Sequence, residues 1–305
     1  MTRKQTIFFS LVIFLAGALW GLGRLRFASG YFGGTYNQMA RTLNRLPGLS
    51  LKIIETRGSG ENISLIEKGQ ADLGFAQLDV LIHEAIANRK VKKNVKILLP
   101  IYREEVHILA KKNIQKISDL KGTKVNIGTL GSGTYATAST ILKKLGLYDS
   151  IQKDTSPSKS AVSKLKNGSL DAVILIGGAP ISFLAKESKN ANFHLLSFTA
   201  GELRAFVRRG GAYSRIKIRA NMYPWQSKKV TTLAVESALI GSANLSSSAV
   251  KTIINTIVQN EVELIMSHEK WTDLDIGFIK KTARRKKIYF HPAALKVIQT
   301  LKEEL

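Results

Sequence analysis

The sequence predicts an α/β fold built from two similar lobes. First, a strand-like run, a loop rich in glycine and hydroxyl side chains, and a helix-like run follow one another three times. Second, a segment with the order helix, Gly-x-x-Asp, strand occurs twice, around residues 69–75 and 168–174. Third, the chain has 305 residues, 44% of them hydrophobic, which suits two domains with substantial cores.

The three units of strand, loop and helix share one order, and their apolar residues change from strand-like to helical spacing across each loop. As strand, loop and helix in turn, the predicted segments are 25–28, 29–36 and 37–46; 51–54, 56–62 and 63–67; and 124–127, 128–133 and 134–145. In an open α/β sheet such loops lie beyond the carboxyl ends of the strands, where ligands bind.

Each of these loops places backbone N–H groups at the start of a helix, where the first four have no acceptor within the helix. The helix dipole favours negative charge there, and glycine allows the backbone to approach a ligand closely. The loop and helix start GTLGSGTYAT, residues 128–137, is therefore suited to a small anion such as a carboxylate. Ser132 and Ser59 also fit a second interpretation, as ordinary N-cap residues. A fourth loop, 177–180, ends in Pro180, which suits the first position of a helix.

The N-terminal segment, residues 1–23, has the pattern of an export signal. Arg3 and Lys4 precede the apolar run 7–15, and the small residues 16–18 (AGA) follow it. We expect cleavage after Ala18 and a periplasmic protein. The alternative is an uncleaved segment, 7–22, that anchors the chain to the inner membrane; it is slightly shorter than the ~20 residues of a typical spanning helix.

The chain is strongly basic, with 46 Lys and Arg, 22 Asp and Glu and a formal net charge of +24. Residues 203–235 contain eight basic side chains and no acidic one, and a second basic cluster lies at 280–287. Such a surface attracts acidic partners. It fits either a solvated face or a surface for an anionic partner, such as an anionic membrane surface.

Several kinds of chemistry are not indicated by the sequence. There is no cysteine, the glycine loops lack the lysine of a P-loop, and neither Ser59 nor Ser132 lies in a G-x-S-x-G nucleophile motif. The five histidines are scattered, without metal-ligand spacing. We therefore expect no enzyme activity, no cofactor and no metal. The export signal and the lack of a nucleic-acid-binding motif also argue against a nucleic-acid partner.

Four segments resemble, in order and spacing, the TAXI subfamily of TRAP-transporter solute receptors. They are ASGYFGGTYNQMA (28–40), GSGENISLIEKGQADLGFAQLDV (58–80), DLKGTKVNIGTLGSGTYAT (119–137) and NGSLDAVILIGGAP (167–180). The HPAA of residues 291–294 resembles the start of that family's C-terminal helix.

The resemblance implies a two-lobed type II periplasmic binding protein fold, with a cleft between the lobes and two hinge crossovers. Lobe 1 would comprise residues 24–106 and 230–305, and lobe 2 residues 107–229. Such receptors bind a small carboxylate, a glutamate-like amino acid or a dicarboxylate, and deliver it to a TRAP membrane permease. We therefore expect a monomeric solute-binding subunit. The alternative is a membrane-anchored periplasmic ligand sensor of the same fold.

The resemblance also implies a set of ligand-binding residues, carried over position by position. They are Tyr36, Arg57, Ser59, Asn62, Gln77, Asp79, Ser132, Gly133, Thr134, Thr137 and Gly178. The glycine loops and their hydroxyls would bind the carboxylate, Gln77 and Asn62 would complete its hydrogen bonding, and Asp79 could accept from an amino group.

Three of these candidates also fit other roles. Asp79 could cap the helix that follows it. Tyr36 could simply pack against the first lobe. Arg57 could pair with a second ligand carboxylate in a bidentate bond, or be one more surface charge.

Overall fold

A computed structural model describes residues 24–207 and 211–302 of the chain. The predicted export signal, residues 1–23, lies outside the described residues. Within them, no helix combines the length and the apolar character that crossing a membrane requires.

The strands form one mixed sheet. They are β1 Leu25–Gly30, β2 Leu51–Glu55, β3 Leu73–Gln77, β4 Val95–Lys111, β5 Lys124–Asn126, β6 Gln152–Asp154, β7 Ala172–Gly177, β8 Phe193–Leu195, β9 Tyr213–Ile218 and β10 Val230–Ser242. Their order is β2-β1-β3-β10-β4-β7-β5-β6, with β8 paired to β4 and β9 paired to β10.

The helices lie around this sheet and mostly follow its strands. They are α1 Thr35–Leu43, α2 Ser59–Glu67, α3 Leu78–Ala87, α4 Arg89–Asn94, α5 Gly133–Lys144, α6 Ser158–Lys166, α7 Ser182–Ala185, α8 Ala200–Phe206, α9 Ser247–Gln259, α10 Glu261–Ser267, α11 Ile276–Arg285 and α12 Pro292–Thr300. Short 3-10 turns lie at Ile117–Leu120, Glu269–Asp273 and Lys287–Tyr289.

All three predicted units of strand, glycine loop and helix are present. The boundaries differ most at α2, which begins at Ser59 instead of residue 63. Gly58, with φ of +117°, turns the chain directly into this helix. The first helix, α1, ends at Leu43 instead of residue 46, and the side chain of Asn44 accepts the N–H of Leu51 at 2.7 Å.

The two Gly-x-x-Asp segments have the same local structure. Asp72 accepts the backbone N–H of Arg26 at 2.8 Å, and Asp171 accepts that of Lys124 at 2.8 Å. Each carboxylate also pairs with a basic side chain at 2.7 Å, Arg26 for Asp72 and Lys111 for Asp171. In both halves, therefore, an aspartate that precedes one strand forms hydrogen bonds to the beginning of the neighbouring parallel strand.

Two long antiparallel strands, β4 and β10, connect the halves of the sheet. The first part of β4 pairs with β10, and its last part, Glu105–Ala110, pairs with β7. The first part of β10 pairs with β9, and its second part, from Ser237 to Gly241, pairs with β3. The parallel groups β2-β1-β3 and β7-β5-β6 thus lie on opposite sides of two crossover strands.

The buried apolar side chains form separate clusters on the two sides. One cluster contains residues of 27–102 and 238–298, and the other two contain residues of 106–230 together with Leu233. The boundary between the clusters of the two sides falls within β4 and within β10. The residue limits proposed for the lobes, 106/107 and 229/230, stay a prediction because each crossover strand is continuous.

Candidate functional site

A cavity of about 320 Å³ lies where the loops that follow β1, β2, β5 and β7 meet. This is the size range of small-molecule sites in proteins. Its polar lining includes Thr35, Tyr36, Thr56, Ser59, Gln77, Glu104, Thr129, Ser132, Thr134 and Ser158, and its apolar lining includes Tyr31, Phe32, Tyr102, Leu175, Ile176, Ile181 and Phe183. Both parallel groups of the sheet therefore contribute to one cavity.

Four helices begin at this cavity. Their first residues are Thr35 of α1, Ser59 of α2, Gly133 of α5 and Ser158 of α6, and all four line it. The partial positive charges of the four N-termini therefore converge on one space. Among the described residues, the N–H groups of Ser59, Gly133 and Thr134 have no hydrogen-bond acceptor.

Seven of the predicted ligand-binding residues line the cavity, and four do not. Those that line it are Tyr36, Arg57, Ser59, Gln77, Ser132, Gly133 and Thr134. Those that lie elsewhere are Asn62, Asp79, Thr137 and Gly178.

The hydroxyl of Ser132 serves as an N-cap, as one of its two interpretations predicts. It accepts the N–H of Tyr135 at 3.0 Å. Ser59 is not an N-cap, because Gly58 occupies that position. The Ser59 hydroxyl instead accepts the backbone N–H of Gln77 at 3.1 Å, which joins α2 to the end of β3. The backbone N–H groups at the starts of α2 and α5 therefore remain available to a ligand in the cavity.

Asn62 is fully buried and organises the loop after β2. Its amide donates to the carbonyl of Phe75 at 2.8 Å and accepts from the hydroxyl of Thr56 at 2.5 Å. Both ends of this side chain are thus satisfied by the protein, and it supports the loop from behind.

Asp79 and Thr137 face each other across the cleft, beside the cavity instead of in its lining. Asp79 Oδ2 accepts the hydroxyl of Thr137 at 2.7 Å and that of Tyr213 at 3.0 Å. Gln77, not Asp79, is the N-cap residue of α3. Burial raises the pKa of the Asp79 carboxyl, although these hydrogen bonds act in the opposite direction. Asp79 thus connects α3 to α5, through Thr137, and to β9, through Tyr213.

Arg57 is largely occupied by a neighbour in its own loop. Its guanidinium donates to Glu61 at 2.9 Å, and its backbone N–H donates to the same carboxylate at 2.8 Å. The side chain remains 55% exposed at the rim of the cavity. This geometry favours the surface-charge interpretation over a second ligand carboxylate.

Gly178 packs against a buried lysine outside the cavity. A Cβ at this position would overlap the Lys270 side chain, with Lys270 Cδ at 2.7 Å. Lys270 Nζ lies 3.6 Å from the carboxylate of Glu105 in β4, and Glu105 accepts the N–H of Ala179 at 2.7 Å. The loop after β7 is therefore fixed to a crossover strand.

The loops of the two sides are in direct contact, so the cleft is closed. Gly131 accepts the N–H of Glu61 through its carbonyl at 3.1 Å. A Cβ on Gly60 would lie 2.7 Å from the same carbonyl oxygen, and a Cβ on Gly133 would overlap Gln77. At Gly60 the obstacle is backbone, so any side chain would hold the loops apart. At Gly133 the obstacles are the side chains of Gln77 and Ser59, which would have to move.

Glu104 is a cavity residue that the sequence did not indicate. Its carboxylate accepts the hydroxyl of Tyr36 at 2.6 Å and the amide of Gln77 at 3.1 Å. Tyr36 also bonds the Ser237 hydroxyl at 2.9 Å, so β4, β10 and α1 share one polar network. Burial raises the pKa of Glu104 to about 7. The available signal was the pair Glu104-Glu105 within a long strand whose other residues are mostly apolar.

The basic cluster at 280–287 is partly structural. Arg285 and Lys286 both pair with Glu236 of β10, at 3.3 Å and 3.8 Å, and both donate to the carbonyl of Gly211. Lys286 is nearly buried. These two residues therefore attach α11 to the second crossover strand, whereas Arg208 and Arg209 of the other basic stretch lie outside the described residues.

Residues 27–301 match the NMT1-like family. The chain belongs to the NMT1-like family. Solved structures of two-lobed binding proteins share the fold of this NMT1-like chain at low sequence identity.

One is the GluR0 ligand-binding core from Nostoc punctiforme in complex with glutamate, with 19% identity, 82% of this chain and 99% of that chain covered, and a TM-score of 0.50. Another is the periplasmic aliphatic sulphonate-binding protein SsuA from Escherichia coli, with 15% identity, 89% and 85% covered, and a TM-score of 0.50. A third is the effector-binding domain of QuiR in complex with shikimate, with 12% identity, 78% and 96% covered, and a TM-score of 0.50. The predicted fold class, two α/β lobes of the periplasmic binding protein type, is confirmed.

Proposed function

We propose that this protein is an extracytoplasmic solute-binding protein that holds a small carboxylate between its lobes and has no catalytic activity. The observation that carries the proposal is the convergence of four helix N-termini, from both parallel groups of the sheet, on one cavity of about 320 Å³. N–H groups without an acceptor, together with the dipoles of these helices, form a site for a small anion.

Closure of the lobes is part of this proposal. The cavity has walls on both sides of the crossover strands, so a bound solute contacts both lobes only when they meet. A ligand that binds the closed form better than the open form shifts the population toward closure. A membrane permease can then distinguish the loaded receptor by its shape.

The resemblance to TAXI receptors supports a TRAP-type permease as the partner and the periplasm as the location. The segments that carry the resemblance supply much of the cavity lining, including residues within 30–36, 58–59 and 129–134. A monomer is expected. The runner-up is an anchored periplasmic sensor of the same fold, which the predicted N-terminal segment favours if it remains uncleaved. The basic surface would hold either form near an anionic membrane.

The test is a thermal-shift and calorimetric screen of the full chain against small carboxylates, neutral sugars and nucleotides. A carboxylate at ~100 times its dissociation constant should add about 2.7 kcal/mol to the free energy of unfolding. If sugars or nucleotides stabilise the protein and no small acid does, the carboxylate site is refuted.

A matched pair of cap variants separates binding from stability. Ser132 caps α5 at the cavity, and Ser246 caps α9 far from it with the same type of bond, accepting the N–H of Ala249 at 3.1 Å. Ser132→Ala and Ser246→Ala should each cost about 1 kcal/mol of stability. Only Ser132→Ala should weaken binding of the acid. Equal effects on binding would contradict the placement of the ligand at α5.

A further inference from the structure

Glu104 differs from the other buried glutamates on the crossover strands. Glu105 has Lys270 at 3.6 Å, and Glu236 has Arg285 at 3.3 Å. Glu104 is only 4% exposed, yet it forms no ion pair with any Lys, Arg or His among the residues that the structure describes. Buried carboxylates are normally paired with a cation. Of these three glutamates, Glu104 is the one that lines the cavity.

The protein groups that contact Glu104 are neutral hydrogen-bond donors. Tyr36 donates to one carboxylate oxygen and Gln77 to the other. An ionised carboxylate has about four acceptor positions on its two oxygens, so these two bonds, with the nearby Ser237 hydroxyl as a third donor, still leave capacity for a further one. The cavity side of Glu104 thus provides an acceptor for a donor group that the described residues do not supply.

The lining of the cavity contains groups that favour opposite charges. Helix N-termini and free N–H groups at Ser59 and Gly133 favour an anion, whereas the buried carboxylate of Glu104 favours a cation. A solute with one group of each sign satisfies both kinds of lining group. A solute with only carboxylates would leave its negative charge beside another acid in a site of low dielectric, where repulsion is strong.

We propose that the solute carries an ammonium group that pairs with Glu104, so that the ligand is an amino acid and not an amine-free carboxylate. This inference rests on the proposed function and narrows its ligand class. Glu104 is then a binding residue, oriented by Tyr36 and Gln77.

The ionisation of Glu104 is consistent with this arrangement. Burial raises its pKa to about 7, and among the described residues the titratable groups that interact with it are Tyr36, Tyr31, Tyr102 and Asp79. The cations Arg57 and Lys159 line the same cavity, but within the described part of the chain neither forms an ion pair with Glu104. In the protein without solute, the Glu104 carboxyl is therefore partly protonated near neutral pH. An ammonium group would displace that proton, so binding releases protons to the solvent.

The experiment uses matched probes that differ only in the amine. The pairs are L-glutamate and glutarate, L-leucine and 4-methylpentanoate, and L-phenylalanine and 3-phenylpropionate. Calorimetry of the full chain measures each affinity, and buffers of different ionisation enthalpy report proton release. For the pair that binds best, we expect the amine-free acid to bind on the order of 100-fold more weakly, as for loss of one partner of a buried charge pair.

Glu104→Gln is the direct variant, and Glu105→Gln is its matched control, one residue away and paired with Lys270 outside the cavity. Glu104→Gln should abolish the preference for the amine, and Glu105→Gln should retain it. Because the readout is a ratio of two affinities, a general effect on hinge stability cancels. If Glu104→Gln does not fold, the matched probes and proton release on the unaltered chain still test the proposal.

The outcomes are distinct. An amine preference that depends on Glu104, with proton release, supports the inference. Equal or tighter binding of the amine-free acids overturns it and leaves the carboxylate receptor intact. If none of the six probes binds while a neutral solute does, the proposed function itself is overturned.

Discussion

Replacing Gly133 with alanine should prevent the cleft from closing without unfolding either lobe. Gly133 is the buried first residue of α5, and its Cβ position faces Gln77 and Ser59 on the other side of the cleft. An added Cβ would overlap the Gln77 amide oxygen and lie 2.7 Å from the Ser59 hydroxyl. Its backbone does not have positive φ, so alanine fits the helix start when the lobes are apart.

The cost follows from the bonds that Gln77 must break to move. Its bond to the carboxyl of Glu104, at 3.1 Å, is worth about 1.5–3 kcal/mol when that group is charged, and its bond to Ser59 about 0.5–1.5 kcal/mol. The closed form should therefore lose about 2–4 kcal/mol. At about 1.4 kcal/mol per tenfold, ligand affinity should fall by roughly 30- to 1,000-fold.

Calorimetry with the probe that binds best measures this loss, and thermal melting without ligand measures stability. The ligand-free melting temperature should stay equal or rise slightly, because alanine is a better helix former than glycine. Gly201→Ala is the control, since a Cβ in this other helix start meets no atom closer than 3.8 Å. Wild-type affinity in Gly133→Ala would refute the view that binding needs this contact.

Three further variants test the buried charges. Burial raises the pKa of Glu104 from 4.5 to about 7, so the native state holds this proton more tightly than the unfolded state. Wild-type stability should thus fall relative to Glu104→Gln as pH rises through that window; parallel urea-melt profiles would contradict it. Tyr213→Phe removes the bond to Asp79 at 3.0 Å across the cleft. It should weaken binding about 5- to 10-fold with little change in melting temperature, whereas unchanged affinity in calorimetry would exclude a role in closure. Lys270→Met leaves Glu105 buried without its cation and should cost about 3–5 kcal/mol in urea unfolding. Adding Glu105→Gln should restore most of that stability, and a double variant as unstable as the single one would argue against the pair.

Local sequence was sufficient for the repeated units of the fold. The strand, glycine loop and helix of each unit lie within about 20 consecutive residues, so spacing and loop composition predict them. The two Gly-x-x-Asp segments were predictable for the same reason, and Asp72 and Asp171 have equivalent partners in the structure. Boundaries were less predictable, as the early start of α2 at Ser59 shows.

The candidate site was predictable where a residue lies on a glycine loop. Ser59, Ser132, Gly133 and Thr134 all line the cavity, because loops after parallel strands meet at one edge of the sheet. Asp79 follows the same kind of strand, yet it bonds across the cleft beside the cavity. The partners of the Asp79 side chain depend on how the two lobes meet, and no local sequence pattern predicts this.

The sequence alone determined the α/β units, the glycine loops and the excess of positive charge, since each depends on residues that are close together in the chain. The tertiary structure determined which buried glutamates form an ion pair. It paired Glu105 with Lys270 and Glu236 with Arg285, over separations of many residues, and left Glu104 at the cavity without an ion pair to any described residue. The physical reason is that burial and pairing of a charge depend on side chains brought together only when the crossover strands and both lobes are packed.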